Sequence, residues 1–511
     1  MGWSSLLELG RPMLASYHKS ALQPKKQQIC YLTNLLRENA RSQFGRDHSF
    51  SDIMTLDAFQ ANVPISAYQD LKPYIDQIIA GDHTALTSDP TIMFELTGGS
   101  SGGQKHIPFN TRLLSDFQRS ILPWFSDFLT HYPKIMSGRA YFAISPVMQT
   151  QSDVGGLPVG LPSDAAYFGA EAASHIADVS VYSPSLSDPE RWSIATAAWL
   201  AATHDLTLIS VWSPTFLTGI LDTITQNPDQ VAKAIHDGDF GIPVNPEQAK
   251  LVEHGPSHLW PDLTIVSTWA DASSAPFFSD LQSRLPDIYL QPKGLLATEG
   301  VFTFPLCDAA NPVPALHSAF LEFEDEHRKI FTVDALSKGE TYDLIVTNTG
   351  GFYRYRIGDR VQCTGYYNGS DLPMLKFMGR SGQTVDLVGE KLTEDFVLSC
   401  MHDLGFPCIL IPRYDHPCRY DIGIDANVTP RPDIAEQIDE CLKTNPQYAY
   451  ARAIGQLARP QVIQYTDLLD RYIAFRLTQG HRLSDIKVPV LLKPGVDSYD
   501  IWGKGKELQT C

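Results

Sequence analysis

The spacing of apolar positions changes along the chain, and each change predicts a different kind of structure. Residues 1 to about 90 are polar, with short amphipathic helical pieces at Leu32-Thr33-Asn34-Leu35-Leu36 and around Asp57-Ala58-Phe59. Thr91-Ile92-Met93-Phe94-Glu95-Leu96 is rich in β-formers and reads as a strand. After an extended exit through Pro108, Leu113, Leu114, Phe117, Ile121, Phe125 and Phe128 recur at three- and four-residue steps, a helix that Asn110 or Thr111 can cap. Strand-like runs then alternate with helical ones: 140–144, 206–212 followed by 216–224, and 263–268 followed by 277–285. A polar segment from Asn227 to Pro256 reads as a helical insertion. Such alternation predicts α/β layers with ligands at strand ends.

From about residue 300 the texture becomes closely spaced strands, at 320–323, 329–333, 342–347, 352–357, 360–364 and 374–378, as in an antiparallel sheet or distorted barrel. Beyond Gly379-Arg380-Ser381-Gly382 the pattern starts afresh. Helix 393–404, strands 409–413 and 420–424, helix 432–442, strand 462–465 and helix 467–477 suit a small α+β domain. The expected class is therefore α/β. A large N-terminal domain, 1–380, combines α/β sheets with a β-rich part, and a smaller α+β domain, 381–511, follows a hinge near Ser381 and Gly382.

Composition narrows the function. A length of 511 residues and 43% hydrophobic content support a full-sized core. Lys+Arg of 40 against Asp+Glu of 58, a net charge of -18 with no local basic patch, disfavours nucleic acid as a partner. The eight cysteines are scattered without a C-x-x-C pair, the usage of reduced, inert thiols, so a cytoplasmic protein is expected. No apolar run nears the roughly 20 residues of a membrane helix, and the N-terminus has no signal-peptide pattern. The fifteen histidines form no zinc-type cluster, and His327 beside Glu324 and Glu326 reads as a solvated loop.

The candidate chemistry centres on Thr97-Gly98-Gly99-Ser100-Ser101-Gly102-Gly103-Gln104-Lys105. Its glycines and serines free backbone N–H groups and hydroxyls to converge on phosphate oxygens, although a glycine-rich connection is equally a plain turn. Gln104 between Gly103 and Lys105 departs from the Walker loop. Gly98 to Gly102 satisfies G-x-S-x-G, but the residues up to Pro108 delay the helix that a serine-hydrolase elbow needs. Thr298-Glu299 sets a hydroxyl and a carboxylate side by side, able to hold Mg2+ with a phosphate oxygen. Tyr353-Arg354-Tyr355-Arg356-Ile357-Gly358-Asp359 leads a strand into a turn whose carboxylate can accept both ribose hydroxyls. Gly379-Arg380 and Gly389-Glu390-Lys391-Leu392-Thr393-Glu394 place cations beside and after the hinge. Taken singly, each has a bland reading as a turn or solvated charged face.

All four in this order resemble the superfamily of adenylate-forming enzymes. Within it the chain is most similar to the Gretchen Hagen acyl acid amido synthetases, through the stretch from Phe94 to Pro108, Gly351 to Asp359, and Asp485-Ile486-Lys487-Val488-Pro489. The resemblance implies a two-step ligase: a carboxylate attacks the α-phosphorus of ATP, pyrophosphate leaves, and an amino acid or amine opens the acyl-adenylate. It implies that Gly99, Ser100, Ser101, Gly102 and Lys105 hold phosphates, Glu299 binds Mg2+ with Thr298 beside it, and Asp359 and Arg380 face the ribose. Lys391 and Lys487 offset charge on the reacting oxygens, with Lys493, Lys504 and Lys506 as competitors for the second place. A rotation about 381–382 between the half-reactions is also implied. Leu295 stands where relatives place Tyr, moving adenine stacking to Phe302 or a residue near Trp269, and Gly98 stands where they place Ser. The alternatives are transfer to a thiol of coenzyme A or a carrier protein, a serine hydrolase built on Ser100, and a nucleotide-binding regulator without turnover. Phe117, Trp124, Phe125 and Phe128 read as core or as an apolar acyl pocket, and Arg112 and Arg119 as solvated or as carboxylate ligands.

Overall fold

The structure, a computed structural model, describes residues 2–98, 104–143, 153–160, 167–181, 189–380, 384–401, 404–414, 417–481, 483–493, 501–503 and 506–507. They fall into two compact units. One comprises 1–212, 216–268 and 285–377, and the other 213–215, 269–284 and 378–511. The hinge expected at Ser381 and Gly382 lies outside the described residues.

The first unit opens with helices Gly2–Ala21, Pro24–Asn39, Gln43–Asp47, Leu56–Asn62 and Tyr68–Ile79. Their starts follow local chemistry. Pro24 occupies a first-turn position that lacks a helical N–H partner anyway, and the Ser42 and Thr55 hydroxyls accept from Gly45 N and Ala58 N. Helix Gly2–Ala21 lies along helix Thr111–His131. Gly10 permits that approach, because a Cβ there would stand 2.4 Å from the Leu122 carbonyl oxygen. Helix Thr111–His131 is capped by Asn110, whose Oδ1 accepts from Leu113 N at 2.8 Å.

Before that helix, Met93–Gly98 and Gln104–Phe109 pair antiparallel, so the expected extended exit is a second strand and the glycine-rich stretch joins a hairpin. Strands Arg139–Phe142, Leu206–Ser210, Ile265–Thr268 and Tyr289–Pro292 form a parallel sheet in chain order. Ile265–Thr268 is buried throughout, as a parallel strand covered on both faces must be. The polar segment after Asn227 contains helices Pro228–Asp237 and Pro246–Leu251, as expected. Helix Ala275–Arg284, expected within the α/β body, groups with the second unit instead. Phe277 is the reason: it packs with Ile409, Ile411, Tyr465 and Trp502.

An antiparallel sheet follows, ordered Ile330–Thr332, Phe320–Glu324, Thr341–Thr347, Tyr355–Tyr366, Pro373–Arg380. The expected turn at Gly358-Asp359 is absent, and one strand runs through it. Between the pairs Asp343↔Arg360 and Ile345↔Arg356 the first strand advances by two residues and its partner by four. The surplus bulges at Gly358, whose φ of +88° suits a residue without Cβ.

The second unit has a sheet of Cys408–Arg413, Arg419–Asp425, Gln461–Tyr465 and Lys506–Glu507. Alternation buries both faces. Leu410, Ile422 and Val462 pack with Ile438 and Leu442 of helix Ile434–Leu442, whereas Ile409, Ile411 and Ile463 meet Leu468 and Tyr472 of helix Leu468–Thr478. Helix Pro446–Ala453, started by Pro446 and capped by Asn445, was not legible as a separate element. Cys400 and Cys441 correct the expectation of reduced thiols. They form a disulfide, Cα atoms 5.5 Å apart, between helices Glu394–Met401 and Ile434–Leu442. The scattered cysteines thus no longer argue for a reducing compartment. Among the described residues no helix is long and apolar enough to cross a membrane.

Candidate active site

In the first unit the hairpin places Lys105 opposite two tyrosines. Its Nζ donates to the Tyr355 hydroxyl at 3.3 Å and lies 5.4 Å from the centre of the Tyr68 ring. Tyr68, at the start of its helix, fixes the second hairpin strand, because its hydroxyl accepts from His106 N at 2.9 Å. Burial raises the Tyr68 phenol above its ordinary range, and the negative Glu299 carboxylate adds to the rise. Glu299 is therefore near enough for its charge to be felt at Tyr68.

Thr298 and Glu299 are the two turn residues of a tight hairpin in which Ala297 pairs with Gly300 and Leu296 with Val301. The Glu299 side chain is buried and Thr298 is half-buried. Asn348 holds the turn: its Nδ2 donates to the Glu299 carbonyl at 2.6 Å, while its Oδ1 accepts from Gly350 N and Phe352 N. A carboxylate with a neighbouring hydroxyl is the hard-oxygen donor set that Mg2+ takes.

Asp359 is buried in the bulged strand, on the inward-facing row with Tyr355 and Ile357. One residue ahead of that row, Arg354 has a different task from its motif neighbours. It is buried, adopts a left-handed φ of +46°, and pairs bidentately with Glu322 at 2.9 and 3.0 Å. Its Nη1 also donates to the carbonyls of Gln60 and Val63. Arg354 thus clamps the chain at the point where Ser66 bridges to Tyr355. The strand carrying Asp359 starts from a fixed position.

In the second unit Lys391 is exposed on a loop, with φ +51°. Its neighbour Glu390 is wholly buried and organises that loop. The Glu390 carboxylate accepts from Leu387 N and Val388 N, each at 2.8 Å, and from the Tyr420 hydroxyl, and Asn445 donates to its carbonyl. Lys487 is exposed, its Nζ 4.2 Å from the centre of the Trp269 ring. Glu394 gathers cations. Burial raises its carboxyl, while the Val490 N–H, Lys493, Lys487 and Arg380 hold it down. Burial also lowers Lys493. Arg380, Lys487 and Lys493 therefore all act electrostatically on one carboxylate, and Lys391 lies on a separate loop.

Gly99, Ser100, Ser101 and Gly102 lie outside the described residues, as does Lys504. The strands flanking the loop bear on the hydrolase alternative: a nucleophile elbow runs from strand into helix, and here the next element is an antiparallel strand. Phe302 is fully buried and leaves no face for adenine. Phe117, Phe125 and Phe128 are core residues, and Trp124 packs with them while its indole also meets Gln291 and Lys293. Arg112 and Arg119 are paired, with Glu38 and with Asp116 respectively. Asn348 and Tyr68 are positioning residues that no motif marked, and Glu390 sits in a motif that was read for its neighbour Lys391. Their signal is tertiary, a buried polar side chain with several partners. Asp127, His131 and Cys307 come within 4.8 Å of one another, but Asp127 already accepts from Cys307 N at 2.7 Å.

The chain is similar to known proteins in sequence and in fold. The profile described as GH3 family N-terminal domain matches residues 13–290, and the GH3 family central domain matches 313–380. The indole-3-acetic acid-amido synthetase GH3.15 of Arabidopsis thaliana is 26% identical, over 91% of this chain and 90% of that one. The 4-substituted benzoates-glutamate ligase GH3.12, also of Arabidopsis thaliana, is 21% identical over 71% and 70%. The solved structure of AtGH3.15 acyl acid amido synthetase in complex with 2,4-DB superposes with a TM-score of 0.83 at 19% identity, covering 95% and 94%. A 2-hydroxyisobutyryl-CoA ligase in the postadenylation state follows at 0.55 and 10% identity, covering 92% and 89%. At these identities the two superpositions show a shared fold.

Proposed function

The chain belongs to the GH3 family, and from that premise we propose that it is an ATP-dependent acid–amine ligase, forming an acyl-adenylate and then an amide. The observation that carries the reading is the convergence in the first unit of Lys105, Tyr68, Tyr355 and the Glu299 turn, beside the strand that bears Asp359.

ATP is the cosubstrate. Its phosphates are assigned to the 99–102 loop and Lys105, and its ribose to Asp359 and Arg380. Mg2+ is assigned to Glu299 with Thr298 beside it, where the buried carboxylate and hydroxyl fit a hard cation; the metal supplies charge neutralisation at the phosphates. Phosphoryl chemistry of this kind needs position and charge more than covalent help. Asn348 keeps the Glu299 turn from shifting as charge develops. Glu390 does the same for the loop that presents Lys391. Lys391 and Lys487 are assigned to the reacting oxygens. The acceptor is an amino acid or amine, by analogy with the names of the relatives.

The test is AMP and pyrophosphate release with Mg-ATP, a pool of small carboxylic acids, and amino acids added or withheld, with mass spectrometry of the products. Acid-dependent AMP that rises with amino acid, together with an amide, is the expected result. Acid-dependent pyrophosphate exchange without amide moves the acceptor to a thiol. Covalent labelling of Ser100 by a fluorophosphonate favours a hydrolase.

A further inference from the structure

One row of polar side chains crosses the face of the parallel sheet that helix Thr111–His131 covers. Ser210, Ser267 and Gln291 are register partners on three adjacent strands, so they share a face about 4.8 Å apart. Lys293 follows Gln291 by two residues, and its Nζ reaches back to the Ser210 hydroxyl at 2.8 Å. The rings of Trp124 and Trp212 flank that Nζ, with centres at 4.7 and 5.2 Å, and Trp124 also donates to Gln291 Oε1 at 2.9 Å.

This row is rich in donors and short of acceptors. Lys293 is 7% exposed, and the described residues give it no carboxylate partner. Gln291 Nε2 and the Ser267 hydroxyl, in residues 1% and 2% exposed, have no hydrogen-bond partner among the described residues. A buried donor left unsatisfied costs about 1–3 kcal/mol. Burial also lowers the Lys293 ammonium to about 7, so two aromatic faces and one hydroxyl do not replace its lost water. Unpaired donors around a buried lysine, at the carboxyl ends of parallel strands, are the complement of an anion.

We propose that Lys293, Gln291 and Ser267 form the subsite for a second anionic group on the acid substrate, the class of acid being a dicarboxylic acid with an apolar body lying against Trp124 and Trp212. The inference rests on the ligase reading for the reaction itself. The reacting carboxylate belongs beside Glu299, whose turn is held by Asn348 and faces Tyr68, whereas Lys293 reaches Ser210 and the two tryptophans. An ammonium clamped on the nucleophilic carboxylate would also blunt its attack. Lys293 therefore suits the far end of the acid.

The experiment compares acids that differ only in the second carboxylate, benzoate with isophthalate and hexanoate with adipate, in wild type, Lys293→Met and Ser267→Ala. Methionine fills the lysine's volume without burying charge, so this variant folds. Wild type should prefer the diacid by tenfold or more in kcat/KM, and Lys293→Met should reduce that ratio at least tenfold. Ser267→Ala should raise the melting temperature of the free protein, because an unsatisfied hydroxyl is gone, and still weaken diacid preference severalfold. An equal loss on both acids, or no wild-type preference, overturns the proposal. Should no acid be adenylated, the ligase reading fails and thermal stabilisation by the probe decides the subsite. Stabilisation of wild type by isophthalate, lost in Lys293→Met, upholds it, and equal or absent shifts overturn it.

Discussion

The guanidinium of Arg354 and the carboxylate of Glu322 meet as a bidentate pair at 2.9 and 3.0 Å, with neither side chain more than 5% exposed. Breaking one side of such a pair strands a charge in the interior, at about 3–5 kcal/mol. Arg354→Met is expected to destabilise the first unit by that amount in urea unfolding. The double variant Arg354→Met/Glu322→Met should recover part of the loss. A single variant as stable as wild type would show that the pair does not anchor the strand bearing Asp359.

Glu299→Ala and Lys391→Ala should each lower acid-dependent pyrophosphate exchange by about 100- to 1000-fold, the scale of removing one group that stabilises developing charge. The far-ultraviolet spectrum should stay unchanged, since the Glu299 turn is held through its carbonyl and Lys391 is exposed. Near-wild-type exchange in both variants removes the site assignment.

Glu390 acts on Lys391 through the loop. In Glu390→Gln one of the two oxygens that accept Leu387 N and Val388 N becomes an amide donor, so one backbone N–H loses its acceptor at about 1–3 kcal/mol. Faster hydrogen exchange at Leu387 and Val388 is expected, with adenylation slowed about tenfold. Unchanged exchange with slowed chemistry would give Glu390 a direct role instead.

Asp116 sets a pH dependence. Its Oδ2 accepts from Tyr31 at 2.8 Å and Thr349 at 2.7 Å, and Arg119 lies 3.2 Å from Oδ1, yet burial dominates and pushes the carboxyl up to about 7. Because the folded pKa is raised, the unfolded chain loses this proton first as pH climbs. The group's contribution is complete below about pH 4, falls between about 4 and 7, and levels off above. The span corresponds to at most about 4 kcal/mol. Wild-type melting temperature should fall relative to Asp116→Asn across that window, and parallel curves would show that Asp116 titrates normally.

The helix Thr111–His131 and its Asn110 cap, the glycine-rich stretch, and the adjacent Thr298-Glu299 pair were all legible because each lies within a few residues along the chain. So was the change from α/β alternation to closely spaced strands, which period and turn residues encode locally. The bulge was not legible. Gly358-Asp359 read as a turn because the sequence cannot show that the partner strand Thr341–Thr347 continues opposite it.

What only the tertiary structure decided are pairings between distant residues. Arg354 and Glu322 are 32 apart, Cys400 and Cys441 are 41 apart, and Lys293 and Ser210 are 83 apart. The sequence by itself singled out the candidates for phosphate, ribose and metal, because those motifs are contiguous. It could not show that Arg354 spends its charge on the fold while Lys293 keeps buried donors unmatched. Whether a charged side chain is compensated depends on what other strands and helices bring beside it after the chain has packed, and burial makes that difference large.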